Sequence, residues 1–174
     1  LLILEYLPGK EYTIDCFTDR HGQLIFYGGR ERKRILNGIS VRTAPVDNAE
    51  FKELAEIINR VLKFQGMWFF QVKEDKDGHF ALMEIAPRIA GAMGLYRNLG
   101  INFALMSLYD AEGFDLNLMQ NDYNIVLDRA LESRFKIDLQ YEHVYLDFDD
   151  CLLINDKLNL KMVAFIYHCI NNGI

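Results

Sequence analysis

Residues 67–87 contain two apolar runs on either side of an Asp77-Gly78 pair, and this arrangement restricts the fold more than any other part of the sequence. Asp-Gly is the favoured pair for a two-residue type I′ turn, so the two runs are predicted to form a β-hairpin. Counting outward from that turn places Gln71 opposite Glu84, and directly opposed residues share one face of a sheet. We therefore expect an antiparallel sheet that carries an amide next to a carboxylate.

The other patterns before residue 115 predict more strands of this sheet and helices that cover it. Residues 10–18 alternate in polarity and lead through a turn to an apolar run at 23–29, which predicts a second hairpin. A further short strand is expected at 39–43. Apolar residues at helical spacing predict a helix over 47–64. A second helix is expected over 102–112. The predicted fold class is α+β, with an antiparallel sheet flanked by helices.

The last third of the chain has a different pattern. Residues 123–129 and 134–137 are predicted as strands, and the stretch EHVYLDFDDCLL (142–153) as a short apolar strand that runs into acidic residues. Residues 156–171 are predicted as a helix. A strand followed by a helix is typical of the start of an α/β domain. We place the domain boundary between residues 140 and 141, giving a first domain of 1–140 and a second of 141–174.

Composition limits the possible partners and the compartment. The net charge is −6 and no run of basic residues is present, so nucleic acid is not an expected partner. No apolar stretch reaches the length of a membrane-spanning helix, so a membrane is not expected either. The three cysteines are far apart in the sequence, which favours a reducing, cytoplasmic location. The chain begins inside an apolar run and ends directly after an amphipathic segment, where a further strand would be expected, and we interpret it as a fragment of a longer protein.

Glu84 and Arg88 lie at the end of the predicted hairpin at 67–87, in the stretch MEIAPRIAGA. A structural ion pair at a strand end is one interpretation. A magnesium site is the other, because Mg²⁺ prefers oxygen ligands and is usually held by one or two carboxylates together with substrate phosphates. Gln71 would add an amide oxygen, and Arg88 would contact a phosphate. The glycines that follow would let backbone N–H groups approach an anion.

Several stretches in the same order resemble one family. EYLPGKEYTIDCF, the arginine-rich GGRERKR, NGIS and MEIAPRIAGA together are similar to the C-terminal half of an ATP-grasp domain, in the style of the carbamoyl phosphate synthetase large subunit. The resemblance covers about residues 1–115. It implies an ATP-dependent enzyme that phosphorylates a small carboxylate, which an amine or another nucleophile then attacks. ATP and Mg²⁺ are the implied cofactors.

The resemblance implies specific metal and catalytic residues. Gln71 and Glu84 match the positions that bind the metal ions bridging the ATP phosphates, and Arg88 matches an arginine that contacts phosphate or the acyl phosphate. The sequence departs from the family at Ala86, where the family has an asparagine that ligates metal. A methyl group cannot ligate, so the second metal is weakened unless another group, such as Asn98, reaches the site.

The resemblance also implies residues that bind the nucleotide. Glu5 falls at the adenine hinge, and Glu11 falls where a carboxylate accepts hydrogen bonds from the ribose hydroxyls. Arg30 and Arg32 fall near the triphosphate and the second substrate, although a solvated basic loop is an equal alternative for them. The lysines and the glycine-rich loop of the family's N-terminal half are missing, so the isolated chain is expected to be inactive.

The acidic stretch YLDFDDCL resembles a second family. An apolar strand followed by Asp147, Asp149 and Leu152 is similar to the first motif of the haloacid dehalogenase-like phosphohydrolases. The resemblance implies that Asp147 is a nucleophile and Asp149 a general acid or base. Cys151 stands where threonine or valine is usual, and the later motifs of that family are missing. A helix cap or an acidic loop is the alternative for these carboxylates.

The sequence thus leads to a preferred function and two others. The preferred one is a fragment of an ATP-grasp carboxylate ligase. A degenerate nucleotide-binding or scaffold module, with Ala86 as its mark, is the second. A phosphohydrolase that acts through Asp147 is the third.

Overall fold

The computed structural model describes residues 3–130 and 140–174 of the 174-residue chain. The chain divides into two compact units, residues 1–131 and 132–174, and each unit is described by itself. The predicted strand at 134–137 lies outside the described residues.

The larger unit is built on an antiparallel sheet, as predicted. Six strands lie in the order β5-β4-β1-β2-β3-β6. The strands are β1 (Glu11–Thr18), β2 (Leu24–Leu36), β3 (Ile39–Pro45), β4 (Gly66–Glu74), β5 (Phe80–Ala86) and β6 (Leu127–Asp128). The helices of this unit are α1 (Ala49–Leu62), α2 (Gly94–Asn98) and α3 (Phe103–Ala111). The fold class is therefore α+β, with helices flanking the sheet.

Both faces of the central strands are buried, because helices cover the sheet on each side. Successive β4 residues point to opposite faces: Phe69 joins a cluster with residues of α2 and α3, and Phe70 joins a cluster with residues of α1. Burying one such side chain stabilises a fold by about 1.5–3 kcal/mol. The two clusters pack the helices against the sheet, whose strands carry the polar side chains described below.

Two adjacent glycines let aromatic side chains approach β2 from its two faces. A Cβ atom on Gly28 would lie 2.4 Å from Cζ of Tyr96, and one on Gly29 would lie 2.4 Å from Cδ2 of Phe51. The Tyr96 hydroxyl donates a hydrogen bond to the carbonyl of Gly29 at 2.5 Å. Any larger residue at these positions would push α1 or α2 away from the sheet.

The predicted strand at 23–29 is longer in the structure and includes the basic stretch. β2 continues to Leu36, and a turn at Asn37 and Gly38, which have φ values of 50° and 76°, connects it to β3. Positive φ at both central residues is typical of a type I′ turn. The basic stretch is therefore a sheet strand and not a solvated loop.

The β4–β5 hairpin has the predicted pairing of Gln71 with Glu84 but a different turn. The Asp75 N–H donates to the carbonyl of His79 at 2.9 Å, so the loop has three residues and not two. A register shift between Gln71 and Val72 then compensates for the extra loop residue. Such a β-bulge inserts one residue into one strand, and this restores the predicted pair.

The ends of α1 differ slightly from the prediction. The N-cap is Asn48, whose side chain accepts from the Glu50 N–H at 2.9 Å, and not Asp47. Asn48 has an extended backbone, which is the conformation that lets a side-chain oxygen reach the first turn. The helix ends at Leu62, because Lys63 adopts the left-handed conformation with φ of 50°.

The strand predicted at 123–129 is much shorter in the structure. β6 has only two residues and pairs with Arg42 and Thr43 of β3. The Arg129 N–H then donates to the carbonyl of Val41 at 2.7 Å, which continues the pairing by one bond. β6 therefore covers only the middle of the β3 edge.

The smaller unit has a short hairpin and a helix. β7 (Leu153–Ile154) pairs with β8 (Lys157–Leu158), and α4 runs over Leu160–Asn171 with Asn159 as its N-cap. The predicted helix start at 156 was wrong, since Asn155 and Asp156 form the hairpin turn with φ values of 51° and 59°. The predicted strand before the acidic residues is absent from the described residues 142–148.

Among the helices of the described ranges, none has both the length and the apolar character needed to span a bilayer.

Candidate functional site

A row of polar side chains crosses one face of the sheet. Glu84 of β5 is opposite Gln71 of β4, Gln71 is opposite Thr13 of β1, and Thr13 is opposite Arg30 of β2. Directly opposed residues share a face, so the hydrogen-bonded register alone brings these four residues side by side. The predicted pair of an amide and a carboxylate is thus part of a longer polar row.

A pocket of about 310 Å³ lies over this row. Its wall carries four arginines, Arg30, Arg32, Arg88 and Arg129, and one carboxylate, Glu84. The remaining lining residues are Thr13, Gly38, Ile39, Ser40, Phe69, Gln71, Ala90, Gly91 and Ala92. An excess of cations around a concave site favours an anionic ligand.

Glu84 and Arg88 lie together at the solvent-facing side of the pocket. Arg88 Nη2 is 3.5 Å from Glu84 Oε1, and the two side chains are 61% and 44% exposed. The Arg88 guanidinium also lies 4.8 Å from the centre of the Phe69 ring. An exposed ion pair of this length contributes little stability, so it does not by itself explain a charge pair at this position.

Gln71 is held in place by Arg32. The Gln71 side-chain oxygen accepts from Arg32 Nη1 at 2.6 Å, and Arg32 Nη2 donates to the carbonyl of Gly38 at 2.6 Å. Arg32 Nη1 also contacts the Glu11 carboxylate. One buried guanidinium therefore connects β1, β2 and β4 with the turn of the β2–β3 hairpin.

The two predicted nucleotide-binding glutamates have different surroundings. Glu11 is mostly buried, and its carboxylate pairs with Arg32 and lies 3.9 Å from Lys73 Nζ. Glu5 is exposed in the irregular segment before β1. Among the described residues, neither glutamate lines the pocket. Their roles at the ribose and the adenine stay predictions.

Arg30 lines the pocket but is bound to a buried carboxylate. Its Nε donates to Asp15 Oδ2 at 2.7 Å and its Nη2 to Asp15 Oδ1 at 3.2 Å. The two side chains are 2% and 0% exposed. Burial raises the pKa of Asp15, and the Arg30 charge and hydrogen bonds partly oppose that rise. The charge of Arg30 is thus largely balanced within the sheet.

Ala86 and Asn98 do not add a metal ligand in this structure. Ala86 is buried opposite Phe69 and belongs to the apolar cluster below α2. Asn98 lies at the end of α2, where its amide nitrogen donates to the carbonyl of Gly94 at 3.2 Å, and it is not among the described pocket residues. Gln71 and Glu84 remain, and one carboxylate plus an amide oxygen fits a single Mg²⁺ whose other ligands are phosphates and water.

Sequence reasoning assigned no role to Ser40 and Arg129, two polar residues that line this pocket. A Cβ atom on Gly91 would come 3.1 Å from Arg129 Nη1, so this guanidinium lies directly over Gly91. The only sequence signal was the position of Arg129 at the end of a predicted strand. Ser40 belongs to the NGIS stretch that resembles the family, but its short side chain gave no indication of a specific role.

The predicted acidic motif lies in the smaller unit and is exposed. The Asp147 carboxylate accepts from the Phe148 N–H at 2.8 Å, and Asp149 forms an isolated bridge with Leu153. Asp150 has a φ of 60°, so the chain turns sharply directly after Asp149. The two carboxylates are therefore on a tight turn that leads into β7.

The sheet and the flanking helices are those of an ATP-grasp protein. Residues 1–128 match the family described as ATP-grasp in the biosynthetic pathway with Ter operon, and the chain belongs to that family. A search of curated protein sequences finds no significant match.

Solved structures share the fold at low sequence identity. N5-carboxyaminoimidazole synthetase from Staphylococcus aureus, complexed with ADP, matches 65% of this chain with 22% identity and a TM-score of 0.55. The biotin carboxylase domain of the Hydrogenobacter thermophilus 2-oxoglutarate carboxylase, with MgADP and bicarbonate, matches 66% with 14% identity and a TM-score of 0.56. Biotin carboxylase from Campylobacter jejuni, in a β-γ-ATP complex, matches 65% with 18% identity and a TM-score of 0.56.

The match covers only part of each of those proteins. The chain spans 32% of the synthetase and 27% of each of the two carboxylases.

Proposed function

We propose that this chain is part of an ATP-dependent ligase that activates a carboxylate as an acyl phosphate. The observation that carries the proposal is the Gln71–Glu84 pair at an arginine-lined pocket. Membership of an ATP-grasp family supports it, as do neighbours of the same fold that are complexed with ADP or MgADP. The likeness to the carbamoyl phosphate synthetase large subunit within this superfamily stays a prediction.

Gln71 and Glu84 would hold Mg²⁺ against the ATP phosphates. The Gln71 oxygen has two lone pairs, so it can ligate a cation while it keeps its hydrogen bond from Arg32. Glu84 is half-exposed at the pocket side and has oxygens available to a cation. When bound, the metal would neutralise phosphate charge during transfer.

The arginines would stabilise the phosphoryl group as it moves. The γ-phosphoryl passes from ATP to a carboxylate oxygen of the substrate, which leaves ADP and an acyl phosphate. A nucleophile then attacks the acyl carbon and displaces phosphate. Arg88 is exposed, and its weak pairing with Glu84 leaves it able to turn toward the transferring group. Arg32 is fixed by several hydrogen bonds and would provide a stationary positive charge.

The nucleotide would be held by the residues that the family resemblance indicates. Glu11 uses its carboxylate oxygens on Arg32 and Lys73, and its remaining lone pairs would accept from ribose hydroxyls. Glu5 lies on the exposed segment before β1 and would contact the adenine. Arg30 would face the triphosphate from the pocket wall without turning toward it, because its hydrogen bonds to Asp15 hold it in the sheet.

Arg88→Ala is expected to reduce turnover of the full-length protein by about 10²–10³-fold, since loss of one donor to a transition-state oxyanion costs this much. The assay contains Mg-ATP, a panel of carboxylates and hydroxylamine, which captures an acyl phosphate as a hydroxamate. The parent protein should release one ADP for each hydroxamate formed.

Arg60→Ala is the matched control, because Arg60 is an exposed arginine on α1, away from the pocket. Equal turnover of the Arg88 variant and the control would contradict the proposed role of Arg88. Binding of ATP by the parent protein without any ADP release would favour the degenerate scaffold module instead.

For residues 141–174 we propose the beginning of a phosphohydrolase-like domain, with residues 1–140 as the ATP-grasp portion. Two exposed carboxylates two residues apart, on the tight turn before β7, support this. Asp147 would attack phosphorus and Asp149 would transfer the proton to the leaving group. Asp147→Asn in the full-length protein should abolish phosphatase turnover and leave hydroxamate formation unchanged. Unchanged phosphatase turnover would contradict this assignment.

A further inference from the structure

A groove of about 470 Å³ lies at the tip of the β2–β3 hairpin. Its apolar lining comes from Ile35, Leu36, Ile39 and Val41, and the first three are 41%, 56% and 53% exposed. β6 and Arg129 pair with β3 only from Val41 to Thr43, so among the described residues they leave the Ile39 end of β3 uncovered. Clustered exposed apolar side chains are typical of a binding surface.

The groove is continuous with the polar pocket. Ile39 and Arg129 line both, so the two cavities meet at these residues. On the pocket side of this junction lie Ser40 and Arg32, which are 8% exposed and 7% exposed. Among the described residues, the Ser40 hydroxyl and Arg32 Nε have no hydrogen-bond partner. Buried polar groups in native proteins are normally paired, so two unpaired ones beside a cavity indicate a ligand with acceptor oxygens.

We propose that the carboxylate substrate is amphipathic, with its carboxylate at Ser40 and Arg32 and its apolar tail in the groove. The inference rests on the proposed function, because it assigns the second substrate of that site. A carboxylate supplies the acceptor oxygens that Arg32 Nε and the Ser40 hydroxyl lack. Bound there, it lies in the same pocket as Arg88 and the Gln71–Glu84 pair, where phosphoryl transfer would occur.

The dimensions of the groove favour a small molecule over a protein partner. Both cavities fall in the volume range of small-ligand sites. A stable protein interface buries about 800 Å² on each partner, which far exceeds one hairpin tip. The groove is lined mainly by apolar side chains, which suits the tail of an amphipathic molecule.

Chain-length selectivity of carboxylate binding tests the proposal. Acetate, butyrate and octanoate are titrated by calorimetry into the full-length protein saturated with Mg²⁺ and a non-hydrolysable ATP analogue. Each methylene that enters the groove should tighten binding by about fourfold. We expect octanoate to bind at least tenfold more tightly than acetate.

Leu36→Ser should reduce this preference by about tenfold and leave acetate binding unchanged, because Leu36 lines the groove but not the pocket. Leu82→Ser is the matched control, since Leu82 is a 53% exposed leucine on β5 outside the groove. Equal affinity for octanoate and acetate would overturn the proposal, and so would an equal effect of the two substitutions.

The melting temperature of the ligand-free protein tests whether another part of the protein covers the groove. If Leu36→Ser lowers the melting temperature of the ligand-free protein well below that of Leu82→Ser, then protein covers the groove and the proposal fails. Binding of the ATP analogue is recorded in the same samples. Octanoate selectivity without nucleotide binding would contradict the proposed ligase function but would still identify the groove as part of a carboxylate-binding site.

Discussion

Replacing Arg30 by methionine is expected to lower the free energy of unfolding by about 3–5 kcal/mol. Arg30 and Asp15 are both almost completely buried and share two hydrogen bonds. Without the guanidinium, the Asp15 carboxylate would be a buried charge with no compensating cation, or would have to take up a proton. Either state is costly, because burial already raises the pKa of Asp15.

Urea unfolding followed by tryptophan fluorescence measures this effect. Trp68 is the only tryptophan of the chain and is buried in the sheet, so its emission reports on the unfolding of this unit. Arg34→Met is the matched control, because the Arg34–Asp128 pair is exposed and such pairs contribute about 0–1 kcal/mol. The double variant Asp15→Leu/Arg30→Met should recover much of the loss. An Arg30 variant as stable as the control would contradict this account.

This buried pair shows where sequence patterns stop being informative. Alternation in β1 put Asp15 on the same polar face as Glu11 and Thr13. Because helices cover both faces of the sheet, β1 is buried on each side, and Asp15 is as inaccessible as Cys16. Its compensation comes from Arg30 on the neighbouring strand. The polarity pattern of one strand does not reveal which residue of a neighbouring strand pairs with a buried charge.

The Gln71–Glu84 pair was predicted correctly, although the turn that led to it was wrong. The loop has one residue more than a type I′ turn, and the β-bulge after Gln71 absorbs that residue. The alternative register would move Glu84 to the opposite face. The α+β class, the central strands and α1 follow from periodicity, because these elements have one clear apolar pattern each.

The rest of the pocket depends on contacts between distant parts of the chain. Arg129 directly follows a two-residue strand that pairs with β3, and so short a strand has no detectable periodicity. Ser40 is recognisable only because its hydroxyl is buried without a partner among the described residues. The strand predicted before Asp147 was wrong, since a short apolar run is not specific for a strand.

Glu84→Ala is expected to abolish the binding of ATP that depends on Mg²⁺. Glu84 is the single carboxylate among the described residues that line the pocket, so its loss removes the only anionic ligand there. The remaining Gln71 oxygen is neutral, and the surrounding arginines repel a cation. The ion pair with Arg88 is exposed, and therefore the fold itself should lose less than about 1 kcal/mol.

The measurement that tests the central claim most directly is the melting temperature of the full-length protein with and without Mg-ATP. Ligand at 100 times its Kd stabilises a protein by about 2.7 kcal/mol, which is a readily measured shift. The parent and the Glu53→Ala control, an exposed glutamate on α1, should both shift upward, and EDTA should remove the shift. Glu84→Ala should not shift. An equal shift in Glu84→Ala and the parent would contradict a magnesium site at Gln71 and Glu84.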